Sequence, residues 1–201
     1  MIKRTIVFDF DKTLTYHDTL FGFLNLVASK NVAYPIKIVV YFIAMVLSSL
    51  KLITNSSLKS LGIRLFLKGK SLGEISDISE KYSRQIVCND LFKEYNFKTT
   101  DNIYIVSASF YAYLKPLFPD NVVIYASRLE FQNKRVFGLK DNCYAERKLQ
   151  VLLEKGISHI DVFYTDSISD YPLVQISDKT VLIRKNMRIN CSSNEKFLEQ
   201  F

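Results

Sequence analysis

Short runs of apolar residues, each close to a polar stop, recur along the chain and predict buried β-strands. They are Thr5–Phe8, Ile103–Val106, Val122–Tyr125 and Ile160–Tyr164, with Thr180–Ile183 as a weaker fifth. Stretches with helical spacing lie between them, such as Tyr144–Lys155 with three leucines on one side. This alternation predicts an α/β fold, with a Rossmann-like parallel sheet covered on both faces. A small hairpin is also predicted, from Leu129–Phe131 and Arg135–Gly138.

The segment from about Tyr16 to Val87 departs from this alternation, because its apolar residues recur at helical spacing only. Asp18 is predicted to cap a first helix, and a second helix is predicted over the apolar run Ile38–Leu50. A third carries Leu58, Leu61, Leu65 and Phe66, and a fourth begins near Ser71 or Gly73. We therefore predict a helical cap at residues 16–87, inserted into a core made of residues 1–15 and 88–201.

The charge of the chain is unevenly distributed. Its 201 residues carry a net charge of +7, from 27 basic and 20 acidic side chains. Between Thr19 and Gly73 there is no Asp or Glu, but there are seven basic residues: Lys30, Lys37, Lys51, Lys59, Arg64, Lys68 and Lys70. The rest of the chain is balanced, with 20 basic and 20 acidic residues, so the segment Thr19–Gly73 carries the whole excess. That excess concerns the partners of the protein rather than its fold.

The apolar run Ile38–Leu50 raises the question of a membrane span. It contains 13 uncharged residues between Lys37 and Lys51, and Pro35 is expected to stop it from extending. Because a span needs about 20 apolar residues, a buried or an interfacial helix is favoured. The first strand begins at about Arg4, so no signal peptide is expected. Three cysteines without paired spacing favour a reduced, cytoplasmic protein.

Two carboxylates, Asp9 and Asp11, follow the first predicted strand directly. Like charges this close repel, and partial burial raises the cost, which a divalent cation and a phosphorylated substrate would remove. The carboxyl end of a central strand is where open α/β sheets bind ligands. There Asp9 could act as a nucleophile that forms an aspartyl-phosphate, and Asp11 as the general acid and base. The alternative is a strand end with two solvated acids.

A second pair of carboxylates, Asp166 and Asp170, follows the predicted strand Ile160–Tyr164. One helical turn would bring both to the same face, where their charges repel unless a cation lies between or above them. Mg²⁺ fits such a site, since it binds oxygen ligands and keeps waters and substrate phosphate in its shell. The alternative is Asp170 as a helix N-cap and Asp166 as a turn residue.

Two further side chains could contact a phosphate. Ser107 follows the second predicted strand, and its hydroxyl could donate to a phosphate oxygen or cap a helix. Lys148 opens a predicted helix and could hold the nucleophile and the phosphate through its charge. Lys140 and Arg147 are rivals for that role.

The order of these residues resembles the haloacid dehalogenase superfamily of phosphohydrolases. Its pattern is Asp-x-Asp-x-Thr, then Ser after a strand, then Lys, then Asp-x-x-x-Asp after a strand, and it spans this chain from Asp9 to Pro172. The resemblance implies that Asp9 is the nucleophile and a Mg²⁺ ligand, and that Asp11 is the acid and base, with its backbone carbonyl on the metal. It implies that Asp166 is a direct metal ligand and that Asp170 completes or supports the metal site. For the phosphate, it implies Ser107 as the binding hydroxyl, Lys148 as the cation that stabilises the intermediate, and Thr13, the small hydroxyl of the first motif, as a further binding residue.

Details of the motifs narrow the resemblance. The acid at position 11, two residues after the nucleophile, resembles the phosphatases of the superfamily, because the dehalogenase branch has no acid at that position. A helical insert between the first two motifs resembles the phosphoserine-phosphatase-like subgroup (subfamily IB). Within it, Phe8–Thr15, Val106–Ser109 and Cys143–Lys148 resemble the branch that contains phosphatidylglycerophosphatase C. Two departures, Lys12 where glycine is frequent and a short stretch before the second strand, touch no catalytic position.

Two classes of substrate remain open. A lipid phosphate such as phosphatidylglycerophosphate fits a basic, apolar cap in peripheral contact with anionic lipid at the inner face of the membrane. A soluble phosphomonoester, such as phosphoserine or a sugar phosphate, fits a cap that only steers anions, with Asp18 and Arg64 meeting an amino and a carboxyl group. A non-catalytic protein is disfavoured because all six expected positions are filled, and a nucleic-acid binder because no aromatic platform accompanies the charge. His17 and His159 are predicted as surface or loop residues.

Overall fold

The computed structural model of the protein describes residues 3–28 and 33–201, and its centre is a seven-stranded β-sheet. In chain order the strands are β1 (Thr5–Phe8), β2 (Asn102–Phe110), β3 (Val123–Gln132), β4 (Arg135–Asp141), β5 (Ile160–Thr165), β6 (Ser177–Arg184) and β7 (Met187–Cys191). Their order across the sheet is β4-β3-β2-β1-β5-β6-β7. The five inner strands run parallel, and β4 and β7 are antiparallel at the edges. The predicted α/β class with a Rossmann-like sheet is confirmed.

Strand β1 lies in the middle of the sheet because it is apolar on both faces. Phe8 belongs to the hydrophobic core on one face, and Val7 belongs to the core on the other. Leu152 and Phe197, from two helices near the carboxyl end of the chain, pack into the core on the Val7 face. The helices are α1 (Leu20–Ala28), α2 (Tyr34–Ser49), α3 (Asn55–Gly62), α4 (Leu72–Ser83), α5 (Asp90–Glu94), α6 (Tyr111–Leu114), α7 (Glu146–Leu153), α8 (Tyr171–Val174) and α9 (Asn194–Leu198).

Two predicted strand boundaries are wrong. The run Val122–Tyr125, from its second residue onward, and the hairpin strand Leu129–Phe131 belong to one continuous strand, β3. Its first half pairs with β2 and its second half with β4, so the sheet continues across polar residues that look like a break in the sequence. Strand β2 does not end at Val106 but continues to Phe110, with an irregular register beyond Ser107.

Helices α1 to α4 lie between β1 and β2, and a π-helical turn at Ile63–Leu67 follows α3 directly. Thr15 and Cys88 form an isolated antiparallel bridge, and the N–H of Asn89 donates to the carbonyl of Leu14 at 3.0 Å. The chain therefore leaves and re-enters the neighbourhood of the sheet along two paired segments. The division into a cap at residues 16–87 and a core stays a prediction.

Helix α2 is longer than predicted. It begins at Tyr34 rather than at Ile38, because Pro35 lies in the first turn, where its missing N–H group is not needed. Lys30, one of the basic residues counted for the cap, lies outside the described residues. Within residues 3–28 and 33–201, no helix combines the length and the apolar character needed to cross a membrane.

Candidate active site

The carboxyl ends of β2, β1 and β5 meet at one edge of the sheet and bring three predicted side chains together. Phe8, the last residue of β1, is in register with Tyr164 of β5 and with Ile105 of β2. Asp9 follows directly, and its N–H donates to the carbonyl of Tyr164 at 2.9 Å. Ser107 and Asp166 each lie two residues beyond a partner of Phe8. We call this region the catalytic edge, because open parallel sheets bind their ligands there.

A buried lysine links two acids of the catalytic edge. The Nζ atom of Lys148 lies 2.7 Å from Oδ1 of Asp9 and 2.7 Å from Oδ1 of Asp170, and all three side chains are buried. Lys148 lies in the first turn of α7, which begins later than the predicted Tyr144 because Ala145 turns the chain with a φ of 48°. The turn directs the start of this helix at the strand ends.

The two rival cations have other partners. Arg147 pairs with Asp141 at 3.1 Å and with Glu154 at 2.5 Å. Lys140 lines a separate cavity of about 370 Å³ between α4 and β3. Of the three cations that the sequence left open, the structure therefore brings Lys148 to Asp9.

The charges of this trio are strongly coupled. Burial alone would lower the pKa of Lys148, but the charges of Asp170 and Asp9 hold it above its usual value. Burial raises the pKa of Asp170, and the charge of Lys148 opposes that shift. The hydroxyl of Thr165 donates to Oδ2 of Asp170 at 2.7 Å. One oxygen of Asp170 is thus hydrogen-bonded and the other ion-paired, which fixes both the acid and the lysine.

Asp166 lies beside a wide opening of the catalytic edge. It lines a cavity of about 780 Å³ together with Lys12, Tyr16 and the turn between β6 and β7. Burial, followed by the charges of Asp9 and Asp170, raises the pKa of Asp166 to about 8. The charges of Lys12 and Lys148 lower this pKa but do not offset the increase, and a bound cation would supply further positive charge.

The donor set at this opening fits a magnesium ion that has few protein ligands. Asp9 and Asp166 offer carboxylate oxygens from adjacent strand ends, and Asp11 offers a backbone carbonyl two residues after Asp9. Among the described residues, Asp9, Asp166 and Asp170 do not form a closed group of three side-chain ligands. Mg²⁺ does not require such a group, since it takes one or two carboxylates and completes its shell with waters and substrate phosphate.

The side chain of Asp11 is held by the beginning of the cap segment. Its Oδ1 accepts hydrogen bonds from the N–H of Thr19 at 3.0 Å and from the Thr19 hydroxyl at 2.6 Å. Its Oδ2 accepts one from the hydroxyl of Ser109 at 2.6 Å. Burial, and then the charge of Asp18, raises the pKa of Asp11 to about 7. The side chain is therefore fixed in orientation and able to carry a proton near neutral pH.

Ser107 is buried at the catalytic edge, and its hydroxyl oxygen accepts a hydrogen bond from the N–H of Ser109 at 3.1 Å. The sequence-based prediction includes Ser109 in the motif Val106–Ser109 but gives it no role, although the Ser-x-Ser repeat, with the two-residue period of a strand, could have indicated one. Thr19 is also missed. Its contact with Asp11 follows from the fold of the cap, and no local pattern announces it.

A third residue missed by sequence reasoning is Lys59 of α3, which the charge pattern counts only as a basic residue of the cap. It is buried, and its Nζ donates to the carbonyl of Ala108 at 2.6 Å, to the hydroxyl of Ser127 at 3.1 Å and to the side-chain carbonyl of Asn142. Burial lowers the pKa of Lys59 to about 8. This lysine joins the cap segment to the strand that carries Ser107.

Comparison with known families places the chain. The haloacid dehalogenase-like hydrolases match residues 6–175. The chain belongs to this family. Among proteins of curated function, none matches the sequence.

Solved structures share the fold of this haloacid dehalogenase-like hydrolase at low sequence identity. A protein of unknown function from Bordetella pertussis Tohama I has a TM-score of 0.68 and 16% identity, with 90% of each chain covered. A phosphoserine phosphohydrolase-like protein from Francisella tularensis has a TM-score of 0.66 and 20% identity, covering 98% of this chain and 92% of that one. A phospho-aspartyl intermediate analogue of phosphoserine phosphatase has a TM-score of 0.57 and 17% identity, covering 90% and 87%.

Three predicted residues of this haloacid dehalogenase-like hydrolase have no described hydrogen bond or ion pair with the buried trio of Asp9, Lys148 and Asp170. Thr13 is fully buried, and its hydroxyl has no hydrogen-bond partner among the described residues. Asp18 is exposed and accepts a hydrogen bond from the N–H of Leu20 at 3.0 Å, which supports the predicted capping of the first helix. Arg64 is exposed and lines a groove of about 430 Å³ between α3 and β4. No described hydrogen bond or ion pair joins Arg64 to the acids of the catalytic edge.

One further group of metal-type ligands lies elsewhere. Among the described residues, His159, Asp161 and Asp178 have ligand atoms within 4.8 Å of one another. His159 is exposed, as predicted, and its Nε2 lies 2.9 Å from Oδ1 of Asp178. The group is at the amino end of β5, opposite to Asp166, and exposed acidic groups of this kind are common without an ion.

Proposed function

We propose that this protein is a Mg²⁺-dependent phosphomonoester hydrolase that works through an aspartyl-phosphate on Asp9. The observation that carries this proposal is the buried contact of Lys148 with both Asp9 and Asp170, at 2.7 Å each. A cation on Oδ1 of Asp9 leaves Oδ2 for attack and stabilises the negative charge that develops next to it. Two of the similar structures, a phosphoserine phosphohydrolase-like protein and a phospho-aspartyl intermediate analogue of phosphoserine phosphatase, support the same reaction class.

The proposed reaction has two steps that share one acid. In the first step Asp9 attacks the phosphorus, the bond to the leaving oxygen breaks, and Asp11 gives that oxygen its proton. In the second step water attacks the phosphorus and gives a proton to Asp11, and the bond from Asp9 to phosphorus breaks, which releases inorganic phosphate. A pKa of about 7 supports this double role, because Asp11 has to donate and then accept a proton.

The phosphoryl group is proposed to lie between protein donors on one side of Asp9. Ser107 donates its hydroxyl to a phosphoryl oxygen, and Lys148 contributes its charge. Thr13 is a further candidate donor, because a fully buried hydroxyl without a protein partner is unusual.

Magnesium is proposed as the cofactor, held by the carboxylates of Asp9 and Asp166 and by the backbone carbonyl of Asp11. When bound, the ion neutralises charge on the phosphoryl oxygens. Asp170 has Lys148 and Thr165 as partners for its two oxygens. We therefore assign it a supporting role, through Lys148 or through a metal-bound water, rather than that of a direct ligand.

A lipid phosphate is the substrate class that the cap favours, with phosphatidylglycerophosphate as the named candidate. The segment Thr19–Gly73 has no acidic residue, and such a segment attracts anionic headgroups. The protein would then act in the cytoplasm, at the inner face of the membrane, in the manner of the phosphatidylglycerophosphatase C branch. The alternative is a soluble phosphomonoester, which the similarity to a phosphoserine phosphatase structure supports. Within the part of the chain that the structure describes, no hydrogen bond or ion pair joins Arg64 to the acids of the catalytic edge, so the pairing of Asp18 and Arg64 around phosphoserine gains no support.

Replacing the nucleophile tests the reaction class. Asp9→Asn should abolish Mg²⁺-dependent hydrolysis of p-nitrophenyl phosphate, whereas the exposed control Asp120→Asn should keep the wild-type rate. Turnover by Asp9→Asn would remove Asp9 as the nucleophile, and full activity in EDTA would remove the metal. A wild type inactive on every phosphomonoester would leave the non-catalytic alternative.

A substrate screen then separates the two classes. The ratio of kcat/KM for phosphatidylglycerophosphate to that for phosphoserine and sugar phosphates should exceed one if the lipid assignment is right. A ratio below one would assign the enzyme to soluble phosphomonoesters.

A further inference from the structure

One side of α2 exposes large apolar side chains to solvent. These are Ile36, Val39, Val40, Phe42, Ile43 and Val46, exposed by between 41% at Val40 and 72% at Ile36, and we call them the α2 face. An amphipathic helix in water shows its polar side outward, but this helix is apolar on its outward side as well as on its inward side. Contiguous exposed apolar surface of this kind marks an interaction site.

The opposite side of α2 is fixed by packing, so the α2 face cannot turn inward. Tyr41 and Ala44 are buried there. The ring of Tyr41 stacks with Phe21 and meets Phe66 edge-on at 5.5 Å between centroids. A Cβ atom on Gly62 of α3 would come within 3.0 Å of the Tyr41 ring, which shows how closely the two helices approach.

The charged residues of α2 and of the chain directly on either side of it are all basic. Lys37 lies in the first turn of α2 and Lys51 just beyond its last turn, and the segment Thr19–Gly73 contains no acid. A second copy of the same face would bring like charges together, whereas a surface of anionic headgroups would attract them.

We propose that the α2 face docks on an anionic phospholipid surface, with the helix lying in the plane of the interface. A helix whose one side is packed on its own protein and whose other side is apolar with basic ends fits that arrangement. The inference deepens the proposed function, since it assigns a partner to the lipid-phosphate version of that function. Docking itself does not depend on turnover.

The absence of tryptophan from the chain allows a direct test. Phe42→Trp introduces a single fluorophore on the α2 face, and Leu153→Trp introduces one on α7, at a residue that is also exposed. Vesicles of phosphatidylcholine mixed with phosphatidylglycerol should shift the emission of the first variant to the blue and leave the second unchanged. Pure phosphatidylcholine should give a weaker shift, and salt should reduce it. An unshifted Phe42→Trp variant at low salt overturns the proposal.

Co-sedimentation with the same vesicles provides the second measurement. The triple variant Val39→Gln, Phe42→Gln, Ile43→Gln should lower the bound fraction about tenfold, whereas Leu153→Gln should not change it. Equal binding by the triple variant overturns the docking assignment. So does a concentration-dependent dimer that the triple variant abolishes, because the face would then belong to a second copy. Asp9→Asn should still bind vesicles, so a failure of docking and a failure of the catalytic proposal are distinguishable.

A second inference concerns Lys59 and the peptide group between Ala108 and Ser109. The carbonyl of this peptide accepts a hydrogen bond from Lys59 Nζ at 2.6 Å, and its N–H donates to the hydroxyl oxygen of Ser107 at 3.1 Å. Ser127 donates to the same carbonyl at 2.7 Å. Lys59 therefore acts on Ser107 through one planar unit.

We infer that Lys59 is a positioning residue, which orients the Ala108–Ser109 peptide so that the Ser107 hydroxyl keeps its proton for the phosphate. Because the N–H of Ser109 occupies a lone pair of the Ser107 oxygen, the hydroxyl proton remains free to donate to the substrate. The cap segment would thus complete a phosphate contact that belongs to the core. This inference rests on the proposed role of Ser107.

A double-mutant cycle tests this coupling, with inorganic phosphate as a competitive inhibitor. Lys59→Met should raise the inhibition constant about tenfold in the wild-type background, but by less than about twofold in the Ser107→Ala background. The exposed cap residue Lys68, changed to Met, is the control and should have no effect in either background. Equal effects of Lys59→Met in both backgrounds overturn the inference. Loss of inhibition by phosphate in active wild type would instead count against the role of Ser107.

Discussion

Two buried lysines, one at the catalytic edge and one in the cap segment, meet opposite electrostatic surroundings. Lys148 contacts two carboxylates at 2.7 Å, and the charges of Asp170 and Asp9 raise its pKa against the effect of burial. Lys59 contacts a carbonyl, a hydroxyl and an amide, and burial lowers its pKa to about 8. Neutral acceptors satisfy the hydrogen bonds of an ammonium group but compensate little of its lost hydration. Ion pairs therefore stabilise the catalytic edge, whereas hydrogen bonds to neutral acceptors connect the cap segment to it.

The largest difference between the two regions is expected from removing their lysines. Lys148→Met leaves Asp9 and Asp170 buried without a cation, which should lower the free energy of unfolding by about 3–5 kcal/mol in the absence of Mg²⁺. The exposed control Lys155→Met, two residues beyond the end of α7, should change it by less than about 0.5 kcal/mol. Urea unfolding at neutral pH measures both. A loss below about 1 kcal/mol for Lys148→Met would mean that the ion pairs do not stabilise this edge.

The division between what sequence predicts and what it misses follows the same contrast. Asp9, Asp166 and Ser107 could be predicted because strand ends are local signals and parallel strands end at a common edge. The choice of Lys148 over its rivals came from the family resemblance and not from residue spacing, since spacing does not record how Ala145 turns the chain. Lys59 was missed because its partner Ala108 lies 49 residues away, and no local pattern records that contact. Charge at strand ends is thus predictable, and packing of the cap is not.

The pH dependence of the two lysines should separate them further. The pKa of Lys59 is lowered from 10.5 to about 8 by folding, so the unfolded chain binds more protons between these values, and folding stability should rise with pH across that window. The free energy of unfolding of wild type, relative to that of Lys59→Met, should increase by on the order of 2–3 kcal/mol from pH 8 to pH 10.5. The pKa of Lys148 is raised, so its contribution should stay constant up to its unfolded value near 10.5. Urea titrations at several pH values test this, and parallel curves for the two lysines would refute the comparison.

A third prediction concerns Asp166. Unlike Asp9 and Asp170, this acid of the catalytic edge has no ion pair with a lysine among the described residues. Its pKa is raised to about 8, so without metal its ionisation should destabilise the fold as pH rises from about 4 through 8. Asp166→Asn should therefore stabilise the metal-free protein at pH 8 by on the order of 1–2 kcal/mol. The same change should abolish the stabilisation by Mg²⁺ that wild type shows. A thermal shift with Mg²⁺ that survives in Asp166→Asn would remove this residue from the metal site.

The smallest effect is expected at two lysines with the same backbone conformation, one at the catalytic edge and one in the cap segment. Lys12 follows Asp11 with a φ of 58°, and Lys51 follows α2 with a φ of 59°, a region that favours glycine. Glycine relieves that strain but gains freedom in the unfolded chain, so Lys51→Gly should stabilise by no more than about 1 kcal/mol. Lys12→Gly has the same backbone benefit but removes a charge that lowers the pKa of Asp166. Below pH 4, where Asp166 is protonated, the two variants should therefore gain equally. At pH 8 without metal, Lys12→Gly should gain less, and an equal gain there would show that Lys12 and Asp166 do not interact.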